Sequence, residues 1–108
     1  MKVSIRYINT FGYLAKYQWT ITHEGKRKRG IMYAGTMWEG TENAILGHVL
    51  GLASMYYDSN GSYEGFSQDY DFDQKFYAKC KIIYDWFIEN LGQDWFYTET
   101  ERLREMGY

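Results

Sequence analysis

Proline is absent from all 108 residues, where usage of about 5% would supply roughly five. Long extended linkers and disordered tails are therefore not expected. Cysteine is nearly absent too. Cys80 stands alone, so no internal disulfide can form, which points to a reducing, cytoplasmic compartment. No run approaches the ~18 apolar residues of a membrane span. The opening MKVSIRYINTF lacks the apolar segment of a signal peptide, so no membrane is expected among the partners. His23 and His48 form no H-x-x-x-H pair, C-x-x-C is missing, and neither the Walker nor the dinucleotide glycine loop occurs. No metal, cofactor or catalytic residue is expected.

What is abundant is aromatic. Phe, Trp and Tyr make up 20% of the chain, and twelve residues are tyrosine, a side chain suited to core edges and to recognition surfaces. The hydrophobic fraction of 45% and charged fraction of 24% are those of a globular protein. A length of 108 residues fits a single domain, 1–108, able to bury a core without metal or disulfide. The net charge is only −2, but it is unevenly distributed. Residues 1–56 hold seven Lys/Arg against three Asp/Glu, and residues 57–108 hold five against eleven. One end is basic and the other acidic.

Residues 41–57, TENAILGHVLGLASMYY, form the most evenly apolar run. Ile45, Val49, Leu52, Ala53 and Tyr56 recur on one helical face, which Leu46 and Leu50 widen. Thr41 suits an N-cap and Glu42 the positive end of the helix dipole. Gly47 and Gly51 each cost roughly 1 kcal/mol of helix propensity, so a close neighbour or a dimer contact is expected there. Upstream, Lys2 to Ile8 and Tyr17 to Thr22 alternate as strands, with Asn9, Thr10 and Gly12 marking the turn. His23-Glu24-Gly25 reverses the chain into a third strand, Arg27 to Gly35. Downstream, the Gly/Ser/Asn-rich stretch from Asp58 to Gln68 reads as an irregular loop. A long helix is expected from Asp69 to Leu91, stopped by Gly92, and a last helix from Asp94 to Met106. The last carries Glu99–Arg102 and Glu101–Arg104 pairs on its outer side, with Trp95, Phe96, Leu103 and Met106 facing in. The expected class is α+β: a three-stranded antiparallel sheet followed by three helices packed on one face.

Candidate chemistry is sparse. His48 has no partner nearby in sequence and reads as a core-edge residue, and Cys80 falls on an apolar helical stripe as a small hydrophobe. Asp69, Asp71 and Asp73 alternate as cation ligands do. As a calcium loop they fail, because Gln74 stands where a glycine is required and Cys80 where a glutamate is. They read instead as an acidic cap on the following helix. A ribonuclease H-like nuclease is excluded as well: the first strand, KVSIRYI, lacks the required aspartate.

Two surfaces remain. Lys26, Arg27, Lys28 and Arg29 are four consecutive cations on a strand, so some must reach the sheet's open face. With Arg6 and Lys16 in the same field and Tyr17, Trp19 and Tyr33 close by, they form a candidate nucleic-acid surface. The acidic half offers Asp58, Tyr63, Glu64, Asp69, Tyr70, Asp71, Asp73, Glu99 and Glu101, carboxylates among exposed tyrosines. These could dock on a basic, nucleic-acid-handling protein. In size, charge layout and element order the chain resembles phage and mobile-element inhibitors of the anti-CRISPR and anti-restriction kind. That likeness implies a non-enzymatic inhibitor or adaptor working in the host cytoplasm. The docking function is the leading expectation, and the basic hairpin is its alternative.

Overall fold

The computed structural model describes residues 1–108, in the order β1 (Lys2–Phe11), β2 (Leu14–His23), β3 (Lys26–Gly35), α1 (Glu42–Asp58), α2 (Tyr63–Tyr70), α3 (Gln74–Leu91) and α4 (Gln93–Glu105). The class is α+β, with four helices where three were expected. Contacts divide the chain into two compact units, Met1–Leu46 and Gly47–Tyr108. No charged residue lies between 43 and 57. The basic and acidic parts of the sequence therefore coincide with the two units.

The first unit is an antiparallel sheet in the order β1-β2-β3. Glu24 (φ 50°) and Gly25 (φ 80°) make the β2–β3 turn, the two positive φ values a tight hairpin matching strand twist requires. Alternation makes one face of the sheet apolar. Ala15, Trp19 and Ile21 of β2 and Met32 of β3 are buried on it, and Val3 and Ile5 join them by register with Ile21 and Trp19. Gly30 lies opposite Trp19, and the indole ring occupies the space a β-carbon would fill. Beyond β3, Trp38 reaches back to Tyr17, ring centroids 5.7 Å apart. Ile45 and Leu46 complete this unit's buried residues. Thr41 caps α1 as expected, its Oγ1 accepting from the Ala44 amide at 3.2 Å.

The second unit is helical. Val49, Leu50, Ala53, Phe66, Cys80, Ile83, Phe87, Phe96 and Leu103 are its buried apolar side chains, and Ser54 and Ser59 are buried with them. The expected loop between Asp58 and Gln68 holds a helix instead. Asn60 (φ 56°) and Gly61 (φ 72°) do turn the chain, but Ser62 then caps α2 through the Gly65 amide. Phe66 anchors that helix among Tyr70, Phe72, Phe76 and Tyr77, with centroid separations of 5.3–6.3 Å. The long helix consequently starts at Gln74 rather than Asp69. Asp71 ends α2 in the left-handed region, and Asp73 caps α3, accepting from the Phe76 amide at 3.0 Å. Gly92 ends α3 as expected. Met106 lies beyond α4 and is exposed rather than facing in. Of the two helix glycines, Gly47 has the close neighbour its cost predicts, the side chain of Tyr108. Gly51 faces open space.

Candidate functional site

Register decides which side chains share the second face of the sheet. Lys2, Thr22 and Arg27 form one cross-strand row, followed by Ser4, Thr20 and Arg29, and then by Arg6, Gln18 and Ile31. A bulge between Tyr7 and Asn9 shifts β1 by one residue, so Asn9 aligns with Lys16 and Tyr33 in the next row. The extra residue turns Asn9 to the open side while Tyr7 stays on the side of Tyr17. The last row is Phe11, Leu14 and Gly35.

Lys2, Arg6, Lys16, Arg27 and Arg29 thus stand together on a face without a single carboxylate. The three acids of the unit, Glu24, Glu39 and Glu42, all lie outside the strands. None of the five cations enters an ion pair. Like charges this close raise the local potential with no internal counter-charge to quench it. Arg6 donates to Gln18 Oε1 at 3.4 Å, which holds the guanidinium over the central strand. Four of the cations, Lys2, Arg6, Arg27 and Arg29, line a shallow concavity of about 360 Å³ with Ser4, Gln18, Thr20 and Thr22.

The consecutive cations of the hairpin are divided by this geometry. Arg27 and Arg29 lie on the open face, while Lys26 and Lys28 align with His23 and Ile21 on the other. The aromatic expectation changes too. Trp19 is fully buried on the apolar side, Tyr17 is directed to the same side, and Tyr33 alone of the three stands on the cationic face, at one end. Lys2 is the residue that sequence reasoning missed. Its sign was readable, but its place beside Arg27 is a product of pairing between strands distant in sequence.

The acidic candidates are dispersed along the helical unit. Asp58, at the end of α1, accepts from the Tyr70 hydroxyl at 3.2 Å, and burial, with that carboxylate second, raises the phenol's pKa. Glu64 and Asp69 are exposed on α2, and Asp71 and Asp73 on the turn into α3. Tyr63 and Tyr70 are half-buried rather than exposed. Tyr63 packs edge-on against Tyr77 at 5.7 Å and Tyr70 against Phe66. Glu99 is held by Arg102 at 3.0 Å, and Glu101 by Arg104 at 3.5 Å. Part of the acidic charge is therefore neutralised at close range. His, Cys, Asp and Glu nowhere gather in a group of three that could hold a metal ion.

A half-open pocket of about 200 Å³ in the helical unit is bordered by Asp58, Tyr70, Arg104, Ser54 and Thr100. The last two hydroxyls are buried without a partner. Its volume is below that of an ordinary small-molecule site, about 300–1,000 Å³. His48 enters no ion pair, and burial, followed by nearby Lys79, lowers its pKa. The Cys80 thiol is fully buried and pushed up to about 11 by that burial. A thiol so protonated is a poor nucleophile. No helix is long and apolar enough to cross a membrane.

The geometry defines a cationic β-sheet surface on one unit and a partly self-neutralised acidic surface on the other. No family model, curated protein or solved structure matches the chain.

Proposed function

We propose that this chain is a non-enzymatic nucleic-acid-binding module that uses the open face of its sheet. One observation carries the reading: five unpaired cations and no acid share one face of three strands. Phosphate neutralisation by Lys and Arg releases condensed counterions, the source of sequence-independent affinity for nucleic acid. The overall charge of −2 does not oppose it, because eleven of the fourteen acids belong to the other unit and the sheet's own three lie outside its strands. Fluorescence anisotropy with labelled DNA, titrated from 50 to 200 mM salt, tests it. If all five cations meet phosphates on a duplex, log K falls against log salt with a slope of about −4 to −5. Replacing Arg27 and Arg29 by alanine lowers affinity at least about tenfold and flattens the slope by about two. The same change at Lys26 and Lys28 has a smaller effect. No binding at 50 mM salt, or equal losses from the two double variants, overturns the reading.

A second reading rests on the exposed, unpaired acids Glu64, Asp69 and Asp71 around α2. They supply a surface that a basic, nucleic-acid-handling protein would accept, the inhibitor or adaptor role of the anti-CRISPR and anti-restriction kind. Charge complementarity acts mainly on encounter rate and specificity. Reversal of these three residues to lysine should abolish co-purification with such a partner, whereas reversal of Glu99 and Glu101, each already paired, should change it little. Retention of the partner by the triple reversal excludes this surface.

A further inference from the structure

Resting on the nucleic-acid reading, we propose that the ligand of the open face is double-stranded DNA, entered through its major groove. In this arrangement the central strand lies over the base edges and the outer strands face the two phosphate backbones. The first support is the division of chemistry among the strands. Four of the five cations keep to the outer strands, Lys2 and Arg6 on one and Arg27 and Arg29 on the other, while Gln18 and Thr20 occupy the same rows of the central strand and Lys16 stands on that strand one row beyond them. Gln pairs with adenine edges and Thr hydrogen-bonds to several bases, whereas Lys and Arg on the rim suit phosphates. At about 4.8 Å between strands the outer backbones are roughly 10 Å apart. That span is comparable to the major groove's width of about 12 Å. Sheets and ribbons are known to read DNA in this manner.

The second support is what the face lacks. Single-stranded nucleic acid is held by stacking bases on aromatic rings set among the charges. Here register turns Tyr17 and Trp19 to the apolar side. The centre of the cationic face has no ring, and Phe11 and Tyr33 stand only in its last two rows. Duplex RNA fits no better, since its major groove is too deep and narrow for side chains to read.

The experiment compares a 20-base-pair DNA duplex, its single strand and the corresponding RNA duplex by anisotropy at one salt concentration, using the full chain. The DNA duplex is expected to bind at least tenfold tighter than either alternative. A dye bound in the major groove should displace the protein and a minor-groove binder should not. In selections from a randomised duplex library, Thr20→Ala should relax preference at one position and leave the salt slope unchanged. Lys2→Ala should weaken all sequences alike and reduce the slope by about one. Circular dichroism confirms that each variant is folded. Equal or tighter binding of the single strand or of the RNA duplex overturns the major-groove proposal and leaves the nucleic-acid reading standing. Absence of binding to all three overturns both.

Discussion

Phe66→Ala is expected to cost about 4 kcal/mol, the middle of the range for removing a buried phenylalanine. The ring is fully buried and meets Tyr70, Phe72, Phe76 and Tyr77, so its loss leaves a void bordered by four rigid rings. Aromatic pairs contribute about 0.5–1.5 kcal/mol each beyond their area, and four are lost together. Neighbouring rings cannot close the gap easily, because Phe72 is already stacked on Phe76 at 4.2 Å. The helix most exposed to the change is α2, eight residues long. Isolated helices shorter than about 12 residues are marginal in water, so α2 depends on this anchor for its persistence. Urea denaturation should show the loss of stability. Amide exchange should show residues 63–70 losing protection ahead of α3. A variant that keeps α2 protected and loses less than about 1 kcal/mol would mean that the aromatic cluster is not what holds this segment.

That segment also marks where local pattern stops being informative. Asp58 to Gln68 reads as a loop because Ser, Asn and Gly dominate it, and Asn60 and Gly61 do adopt turn conformations. Tyr63, Phe66 and Tyr70 nevertheless keep helical spacing, and Ser62 is an N-cap. The signal was present but short, and short helices owe their stability to tertiary packing that composition does not display. The strands were easier to read. Period-2 alternation at Tyr17, Trp19 and Ile21 is a direct consequence of one buried face, and β2 merely runs longer, from Leu14 to His23. In α1 the apolar stripe and the Thr41 cap are both local, and both were legible.

The cationic surface lies between these cases. The run from Lys26 to Arg29 announces charge, and alternation announces that only half of it shares a face. Which half, and which residues complete the surface, depends on register with β1 and on the bulge before Asn9. A slip of one residue would exchange the faces. Arg6 and Lys16 could be proposed from their sign, but Lys2 only from its alignment with Thr22 and Arg27. The acidic half illustrates the reverse. Its charges were plain in the sequence, and so were the i,i+3 pairs of Glu99 with Arg102 and Glu101 with Arg104 that the structure forms, whereas the inward packing of Tyr63 and Tyr70, which further diminishes what is left for a partner, was not.

Gly30→Ala tests the register on which that surface depends, and about 3 kcal/mol of destabilisation is expected, as for an overpacked core. A β-carbon at this position would overlap the six-membered part of the Trp19 ring. The glycine backbone is not in the left-handed region, so the cost is steric and not conformational. Gly in a strand interior otherwise weakens the strand, and a close approach of another group is the usual reason for it. Trp19 cannot withdraw cheaply, being fully buried between Ile5 and Gly30 in register. The overlap must be relieved by shifting β3 away from β2 or by driving the indole off its rotamer. The first of these displaces Arg29, the neighbour of Gly30, from its row with Thr20 and Ser4. Thermal unfolding should therefore move down by more than about 10 °C, and, on the proposed nucleic-acid function, a shift of β3 should also lower DNA affinity at temperatures where the variant remains folded. A companion change, Trp19→Phe with Gly30→Ala, gives the added methyl room and should recover part of both losses. Recovery of stability without recovery of affinity would separate the sheet's packing from its ligand. Recovery of neither would show that the contact between ring and glycine is not the constraint that sets the register.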